Sequence, residues 1–287
     1  MYRIKASSEY SDPVFDIGLT TAYEISIQAS PDGFSFCIAN PINYHILYIK
    51  EYCFVEKLAI DDIAQLFSEI NYWDDLLRLP YKSAKLMYSS QQVTLVPDSL
   101  FSAQKAQVLL DSLYMPSVYS ENIVVNHIKT LDIWSVSSIP TPIYSALNNH
   151  QPTATIYNSV VPICERMVPE SFTGGQTQII VNKNGTWIDL FITENGKLTL
   201  HNQYNYLNHT DICYFVANAV DQLSIDADKL IIRLIGDIDQ QSDEIPLLRK
   251  YFPNVVLEKN HSLFHGKVVD RIPLHRYINL MNLHLCV

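Results

Sequence analysis

The residues of this 287-residue sequence with the clearest capacity for chemistry form a tight turn between two alternating strands, Asn182-Lys183-Asn184-Gly185-Thr186. The ammonium group of Lys183 could attract a phosphate, and the hydroxyl of Thr186 could donate a hydrogen bond to one. The same residues are also typical of an ordinary β-hairpin, because asparagine and glycine accept the backbone angles of a tight turn. We favour the ordinary hairpin with a solvated lysine, and the phosphate site is the alternative.

The histidines and cysteines do not stand at spacings that build a metal centre. The sequence has no HExxH motif, and its one HxxxH pair, His261 with His265, falls in a segment that contains glycine rather than on a helix. Two histidines at this spacing need a fixed helical face to share a metal ion. The five cysteines are scattered and include no CxxC pair, which argues against a thiolate zinc site and a disulfide framework. We therefore expect no metal site, and reduced, mostly buried cysteines.

The composition indicates an ordinary globular protein, with 48% hydrophobic residues and a formal net charge of −10. A chain of 287 residues is long enough for two modest cores. The acidic excess argues against a general affinity for nucleic acid or anionic membranes, which require clustered lysine and arginine. Residues 1–11 lack the apolar core of a signal peptide, and no run approaches the roughly 20 apolar residues that cross a bilayer. We therefore expect a cytoplasmic protein that binds no nucleic acid and does not insert into a membrane.

The turn at residues 182–186 belongs to a unit of three strands followed by a helix. Alternating apolar residues predict strands at 177–181, 187–192 and 198–206, and Asn195-Gly196 predicts the second tight turn. From residue 208 onwards, apolar residues recur at helical spacing as a single stripe. A strand at residues 230–235 and a helix at 242–252 complete the unit.

The N-terminal half repeats this order of elements. Strands are predicted at residues 23–27, 34–39 and 44–49, with a turn at Ser30-Pro31-Asp32-Gly33, and a helix follows from residue 61. Next come a strand at 93–98 and a helix at 99–113. The strand ends Leu95-Val96-Pro97-Asp98 and Leu234-Ile235-Gly236-Asp237 are predicted to be equivalent, which favours an internal duplication.

Between the two halves the sequence predicts strands at residues 122–129, 131–137 and 154–157 and helices after residue 142 and at 159–168. The joint between the halves is predicted at Thr173-Gly174-Gly175. A stripe of apolar residues from 274 to 285 predicts that the chain ends in a packed helix.

A duplicated unit of this kind resembles the ribonuclease-H-like subdomain, which the superfamily of actin, sugar kinases and heat-shock chaperone ATPases uses twice to clasp a nucleotide. More closely, Tyr-Glu-Ile-Ser-Ile-Gln at residues 23–28, Asp-Gly-Phe-Ser-Phe at 32–36 and the ending at 275–286 resemble an uncharacterised bacterial family of actin-like-fold proteins. The resemblance implies an α/β fold of two ribonuclease-H-like subdomains in an actin-like ATPase arrangement. The lobes are expected at residues 1–172 and 173–287. That family carries no established activity.

The resemblance also implies where phosphates would bind. In the ATPases of this superfamily an Asp-x-Gly turn after the first strand of each half holds the phosphates, and its aspartate positions Mg²⁺ and water. Asp16-Ile17-Gly18 spells this motif but precedes the first predicted strand, so we predict a lead-in segment outside the nucleotide cleft. The hairpin tip of that half carries Pro31, which lacks a donor NH group.

In the second half, the resemblance puts Asn182 in the place of the magnesium-organising aspartate. A neutral amide attracts a hard cation less strongly than a carboxylate does. Gly236-Asp237 takes the place of the glycine turn that contacts adenosine. The residues of a possible nucleotide cleft are therefore Asn182, Lys183, Asn184, Gly185, Thr186, Gly236 and Asp237, and no catalytic residue is assigned.

These observations predict a non-catalytic scaffold or adaptor that has lost ATPase chemistry, similar in spirit to the actin-like proteins of pilus and secretion machinery. It would use no cofactor and would act through an unknown protein partner or through self-association. The alternative is an ATP-binding enzyme or nucleotide switch that holds ATP with Mg²⁺ in the interlobe cleft by other contacts. Pro31 and Asn182 at the two hairpin tips favour the scaffold.

Overall fold

The computed structural model describes residues 3–55, 58–171, 176–259 and 263–286, and the side chain of residue 6 is not described. The described residues form two compact units. The first consists of residues 3–162, 263–272 and 280–286, and the second of residues 163–259 and 273–279. The predicted joint at Thr173-Gly174-Gly175 lies outside the described residues. His261, one member of the HxxxH pair, also lies outside them. The division of the lobes at residue 172 stays a prediction.

The first unit contains nine strands and four α-helices within its described residues. In chain order they are β1 (Ile4–Ser11), β2 (Glu24–Ser30), β3 (Gly33–Asn40), β4 (His45–Phe54), α1 (Ile60–Trp73), β5 (Ser83–Tyr88), β6 (Val93–Pro97), α2 (Ala106–Leu113), β7 (Glu121–Ile128), β8 (Ile133–Pro140), α3 (Thr141–His150), β9 (Thr155–Asn158) and α4 (Val160–Pro162). Short 3₁₀ helices lie at Ile17–Ala22, Asp75–Arg78, Asp98–Leu100, Ala103–Lys105 and Leu283–Leu285.

The main sheet of the first unit has the strand order β1-β4-β3-β2-β5-β9. β2, β3 and β4 are antiparallel neighbours, whereas β5 is parallel to β2 and β9 is parallel to β5. A parallel pair needs a crossover connection, and α1 supplies it. The apolar stripe of α1 packs on the sheet, where Phe34, Phe36 and Phe67 are fully buried. A separate three-stranded sheet has the order β6-β8-β7.

Among its described residues, the second unit contains a π-helical turn at Ile163–Met167 followed by nine further elements. These are α5 (Val168–Glu170), β10 (Gln178–Lys183), β11 (Trp187–Glu194), β12 (Lys197–Asn205), α6 (His209–Gln222), β13 (Ile231–Gly236), α7 (Glu244–Arg249), β14 (Val255–Leu257) and α8 (Leu274–Asn282), of which residues 274–279 belong to this unit. A capping box begins α6, because Asn208 accepts from the backbone NH of Asp211 while the Asp211 side chain accepts from that of Asn208.

The duplication is confirmed at the level of topology. The sheet of the second unit has the order β12-β11-β10-β13-β14, which matches the order β4-β3-β2-β5-β9 of the first unit. In both, three antiparallel strands precede a helix, and the next strand pairs in parallel with the first of the three. Asn195 and Gly196 have φ angles of 51° and 73°, as the predicted tight turn requires.

The predicted equivalence of the strand ends at Asp98 and Asp237 is wrong. The counterpart of β13 is β5, because each pairs in parallel with the first strand of its unit. The strand that ends before Asp98 is β6, which pairs antiparallel with β8 in the small sheet. The sequence hid β5 because Lys85 interrupts its apolar pattern, and the Nζ atom of this lysine donates to the carbonyl oxygens of His284 and Cys286.

The N-terminal segment also differs from the expectation that the first strand begins at residue 23, because residues 4–11 form β1. Its side chains are largely solvated, and backbone hydrogen bonds to β4 hold it at the edge of the sheet. The predicted position of Asp16 ahead of the first hairpin strand is confirmed, since Asp16 caps the 3₁₀ helix that precedes β2 and accepts from the NH group of Gly18 at 2.8 Å. The predicted C-terminal helix is present as α8. Among the described residues, no helix is both long and apolar enough to cross a membrane.

Candidate functional site

The candidate site surrounds the turn between β10 and β11 in the second unit. Asn182 and Lys183 are the last residues of β10, and Asn184, Gly185 and Thr186 form the turn. β13 lies beside β10 on its other edge and brings Gly236 next to Lys183 in register. The structure therefore brings together all seven residues that the sequence proposed for the second-half site.

Asn182 faces a buried carboxylate that the sequence analysis did not select. Asn182 lies opposite Asp189 on β11, and cross-strand partners point to the same face of a sheet. The amide nitrogen of Asn182 donates to Oδ2 of Asp189 at 3.0 Å, and that of Asn184 donates to the same oxygen at 2.9 Å. The Asp189 side chain is completely buried. Both tip asparagines are thus engaged inside the protein.

A third amide saturates the other oxygen of Asp189. Gln203 of β12 lies opposite Asp189, and its amide nitrogen donates to Oδ1 at 2.6 Å. The Nε2 atom of His201 lies 3.6 Å from the same oxygen. Burial of a charge is tolerated only when such partners replace its water. The three strands therefore share a ladder of polar side chains that runs across one face of the sheet.

Lys183 is neutralised by a second buried carboxylate. Its Nζ atom donates to Oε1 of Glu244, the first residue of α7, and lies 5.6 Å from the centre of the Tyr206 ring. Oε2 of Glu244 lies 2.6 Å from Nδ1 of His209, the first residue of α6. Burial would raise the pKa of Glu244, but the hydrogen bond and charge of Lys183 with the charge of His209 lower it. The lysine is consequently a structural cation of this unit rather than a solvated one.

Gly236 is required for the close approach of β13 to the end of β10. Its φ angle is +88°, and a Cβ atom there would collide with the backbone oxygen of Lys183 and lie 2.8 Å from Oδ1 of Asn182. The NH group of Asp237 donates to the same backbone oxygen at 2.8 Å. The Asp237 carboxylate is exposed and lies 3.3 Å from a guanidinium nitrogen of Arg276. The glycine thus serves a strand-to-strand contact.

The turn itself is closed by Tyr206. The hydroxyl of Tyr206 donates to the carbonyl oxygens of Asn184 and Gly185 at 3.1 and 2.8 Å. The backbone NH of Asn184 donates to the carbonyl of Trp187, and that of Tyr206 donates to the carbonyl of Thr186. Thr186 alone among the seven candidate residues combines a hydroxyl group with an exposed position at the tip.

These contacts do not fit the binding of Mg-ATP at this turn. A phosphate site needs free NH or cationic donors, and a magnesium site needs accessible oxygen ligands. Lys183 is already paired, and both oxygens of Asp189 already accept from amides. The buried carboxylates of Asp189 and Glu244 contact Asn182 and Lys183, and their negative charges would repel a phosphate at this turn. The arrangement is a closed hydrogen-bonded cluster.

The corresponding tip of the first unit is also occupied by its own side chains. Pro31 and Asp32 connect β2 to β3, and the hydroxyl of Ser30 donates to Oδ1 of Asp32 at 2.5 Å and lies 3.2 Å from the carbonyl oxygen of Gly33. The carbonyl of Asp32 accepts from the backbone NH of Phe54. These contacts therefore do not supply the free donor groups that a phosphate-binding turn needs.

The sequence analysis missed Asp189, Gln203, Glu244 and Tyr206. Asp189 had a usable signal, since it is the one charged residue inside the buried part of β11, whose other charged residue, Glu194, lies at the exposed end. Such a residue on a buried strand requires partners on the strands beside it. Glu244 had none, because its meeting with Lys183 depends on the packing of α7 against the end of the sheet.

Comparisons with known proteins agree with this topology. Over residues 12–255 the sequence matches the model of a family described as "Protein of unknown function (DUF3822)". A search of curated proteins gave no match. The crystal structure of a Bacteroides thetaiotaomicron protein with an actin-like ATPase fold and unknown function aligns with a TM-score of 0.82 at 23% identity, covering 96% of this chain and 100% of that chain.

Two further solved structures are similar at lower identity. A chain of the PilM-PilN type IV pilus biogenesis complex aligns with a TM-score of 0.56 at 10% identity, covering 91% of this chain and 97% of that one. The ethanolamine utilization protein EutJ from Carboxydothermus hydrogenoformans aligns with a TM-score of 0.52 at 9% identity, covering 96% and 92%. The predicted actin-like fold is confirmed.

Proposed function

We propose that this chain, which belongs to the DUF3822 family of proteins of unknown function, acts as a non-catalytic scaffold or adaptor built on the actin-like ATPase fold. The observation that carries the proposal is the closed cluster at the β10–β11 turn. Asn182, Lys183 and Asn184 bind side chains of their own unit, where a nucleotide-binding turn would offer them to phosphate.

The chemistry of phosphoryl transfer supports the same conclusion. It relies on positioned charge, supplied mainly by Mg²⁺ and by aligned NH groups. Removal of a single oxyanion-type donor costs roughly 10²- to 10³-fold in rate. Pro31 at one tip and Asn182 at the other impair both halves of this phosphate clamp, so a change of Asn182→Asp alone would not create an ATPase.

A scaffold acts through contacts with other proteins, and two observations support such a role. Large apolar side chains are exposed at several positions between residues 100 and 118, including Met115 and Val118, which are 90% and 96% exposed. Exposed apolar patches commonly mark protein interaction sites. A chain of similar fold comes from a complex of two proteins, PilM and PilN. The partner of the present chain would be another protein or a second copy of itself.

A cytoplasmic location is part of the proposal. None of the five cysteines, all of which lie in the described part of the chain, forms a disulfide bond, and four of them are buried. Free cysteines are typical of a reducing compartment, because secreted proteins of modest size usually pair them.

The test is thermal unfolding of the purified chain with and without millimolar Mg-ATP, together with an assay for released phosphate. A ligand at 100 times its dissociation constant would add about 2.7 kcal/mol to the free energy of unfolding. We expect no shift of the midpoint beyond that given by Mg²⁺ alone, and no phosphate release above the buffer control.

The variant Thr186→Val removes the exposed hydroxyl at the tip, and Thr155→Val on β9 is its matched control. Stabilisation by Mg-ATP that Thr186→Val abolishes and Thr155→Val preserves would overturn the scaffold proposal. It would favour the ATP-binding enzyme or switch in its place.

A further inference from the structure

A separate cluster of chemically capable side chains lies at one end of the small sheet β6-β8-β7. Asp98 follows the last residue of β6, His127 is the last residue but one of β7, and Asp132 lies in the turn between β7 and β8. One oxygen or nitrogen of each side chain lies within 4.8 Å of those of the other two. The cluster belongs wholly to the first unit and shares no residue with the β10–β11 turn.

The distances leave space for an ion between the three groups. Nε2 of His127 lies 3.8 Å from Oδ1 of Asp98 and 3.9 Å from Oδ1 of Asp132, which is too long for hydrogen bonds. Two ligands of a tetrahedral zinc ion with bonds of roughly 2.1 Å lie about 3.4 Å apart. The Asp132 side chain is 82% exposed, so it can rotate. A small rotation would bring its oxygen the few tenths of an ångström closer to Nε2 of His127 that a zinc site requires.

The imidazole supplies an independent indication of a ligand. Nε2 of His127 is buried from solvent and has no hydrogen-bond partner among the residues that the structure describes. A buried polar atom without a partner costs about 1–3 kcal/mol. This atom faces both carboxylates, and a cation bound between the three groups would satisfy it.

The surrounding residues hold two of the three groups in place. The ring of His127 stacks on Trp134, its cross-strand partner on β8, with ring centres 4.5 Å apart. The indole nitrogen of Trp134 donates to Oδ1 of Asp98 at 2.7 Å. Outer partners of this kind orient the ligands of metal sites in proteins. Trp134 also stacks on Phe101 at 4.3 Å, which fixes the indole itself.

We propose that Asp98, His127 and Asp132 form a surface binding site for a divalent transition-metal ion, with Zn²⁺ as the best fit. One imidazole and two carboxylates are typical ligands of zinc, whereas Mg²⁺ and Ca²⁺ are held by oxygen atoms alone. Three protein ligands leave the fourth position of a tetrahedral ion open to water. Asp98 is half exposed, so the ion has access from solvent.

The experiment is isothermal titration calorimetry of the full chain, without an affinity tag, using ZnCl₂, with MgCl₂ and CaCl₂ as parallel titrants. We expect 1:1 binding of Zn²⁺ and much weaker binding of the other two ions. Asp132→Asn should weaken the binding of Zn²⁺ at least tenfold, the lower end of the loss seen when even an outer partner of a ligand is removed. His127→Gln should do the same.

Asp132→Asn is the decisive variant because it should leave the fold intact. The residue has a φ angle of 56°, which asparagine tolerates, and its side chain is largely exposed. His150→Gln, at the exposed end of α3, is the matched control and should leave the affinity within about twofold, a change below the tenfold loss expected for a ligand. The proposal is overturned if Zn²⁺ does not bind, or if it binds wild type and Asp132→Asn equally.

Discussion

The ammonium group of Lys183 illustrates how the surroundings of a single residue decide its role. At the tip of a hairpin a lysine is normally solvated and available to an anion. Here it is 12% exposed and paired with Glu244, whose side chain is 1% exposed. Removing one partner of a buried ion pair leaves an uncompensated charge, whereas replacing both with apolar groups is often neutral.

The first prediction at this scale is that Lys183→Met lowers the free energy of unfolding by about 3 kcal/mol, because Glu244 stays buried without its main partner. The double variant Lys183→Met with Glu244→Met should regain most of that loss. Urea unfolding measures both. Lys229→Met removes one partner of the exposed pair with Asp226 and should cost less than about 1 kcal/mol. Equal losses for the Lys183 and Lys229 variants would show that the buried pair is not structural.

At the scale of elements, the end of β13 can lie close to the end of β10 because Gly236 has no side chain. Gly236 lies opposite Lys183 in the parallel register, with its φ angle in the region that favours glycine. The same approach allows the NH group of Asp237 to donate to the backbone of β10. The glycine therefore contributes to the pairing of two strands, and the superfamily's adenosine contact is not needed to explain it.

We predict that Gly236→Ala destabilises the chain by at least about 2 kcal/mol, since a left-handed backbone costs an alanine roughly 1–2 kcal/mol before the collision with Lys183 is counted. Gly18→Ala is the control. Its added carbon would meet only the Asp16 side chain at 3.2 Å, and the position is exposed, so we expect a change within about 0.5 kcal/mol. Chemical denaturation of both variants decides the point, and similar midpoints would contradict it.

At the scale of the whole molecule, two buried histidines and two buried carboxylates give stability the same dependence on pH. Burial, followed by the charge of Lys85, lowers the pKa of His284 from 6.5 to about 3, and burial also lowers the pKa of His275. Below pH 6.5 the unfolded chain therefore binds protons that the folded chain does not. The free energy of unfolding consequently falls as the pH is lowered. Glu244 and Asp12 act in the same direction at lower pH, because their lowered pKa values favour the charged folded form.

We predict that the free energy of unfolding falls as the pH is lowered from 6.5 towards 3, by up to about 1.4 kcal/mol per pH unit for each histidine that stays neutral. Urea unfolding across this range measures the slope. His284→Gln should reduce this slope by up to about 1.4 kcal/mol per pH unit, the contribution of one proton. His150→Gln should reduce it less, because burial lowers the pKa of His150 too, but this residue lies at the exposed end of α3. The neighbours that face His284 are Lys85 and Glu24, and neither change alters them. If His284→Gln left the pH dependence of the free energy of unfolding unchanged, that dependence could not be assigned to His284.

The sequence by itself determined the features that depend on neighbouring residues. Asn195-Gly196 specified a tight turn because both residues accept positive φ angles. The alternating residues of β10 and β11 and the apolar stripe of α6 specified their elements in the same local way. From these patterns the repeated order of strands and helices could be predicted. The seven residues at and near the β10–β11 turn were implied by the resemblance to the actin-like superfamily.

Only the tertiary structure decided which distant residues meet. The parallel partner of β2 is β5 rather than β6, because strand pairing depends on where the crossover helix returns the chain. Glu244 reaches Lys183 only after α7 packs beside the sheet. His127 joins Asp98 only because β8 pairs with both β6 and β7 and brings the ends of these strands together. The energies of such contacts arise between chain segments that are far apart, and spacing along the sequence does not record them.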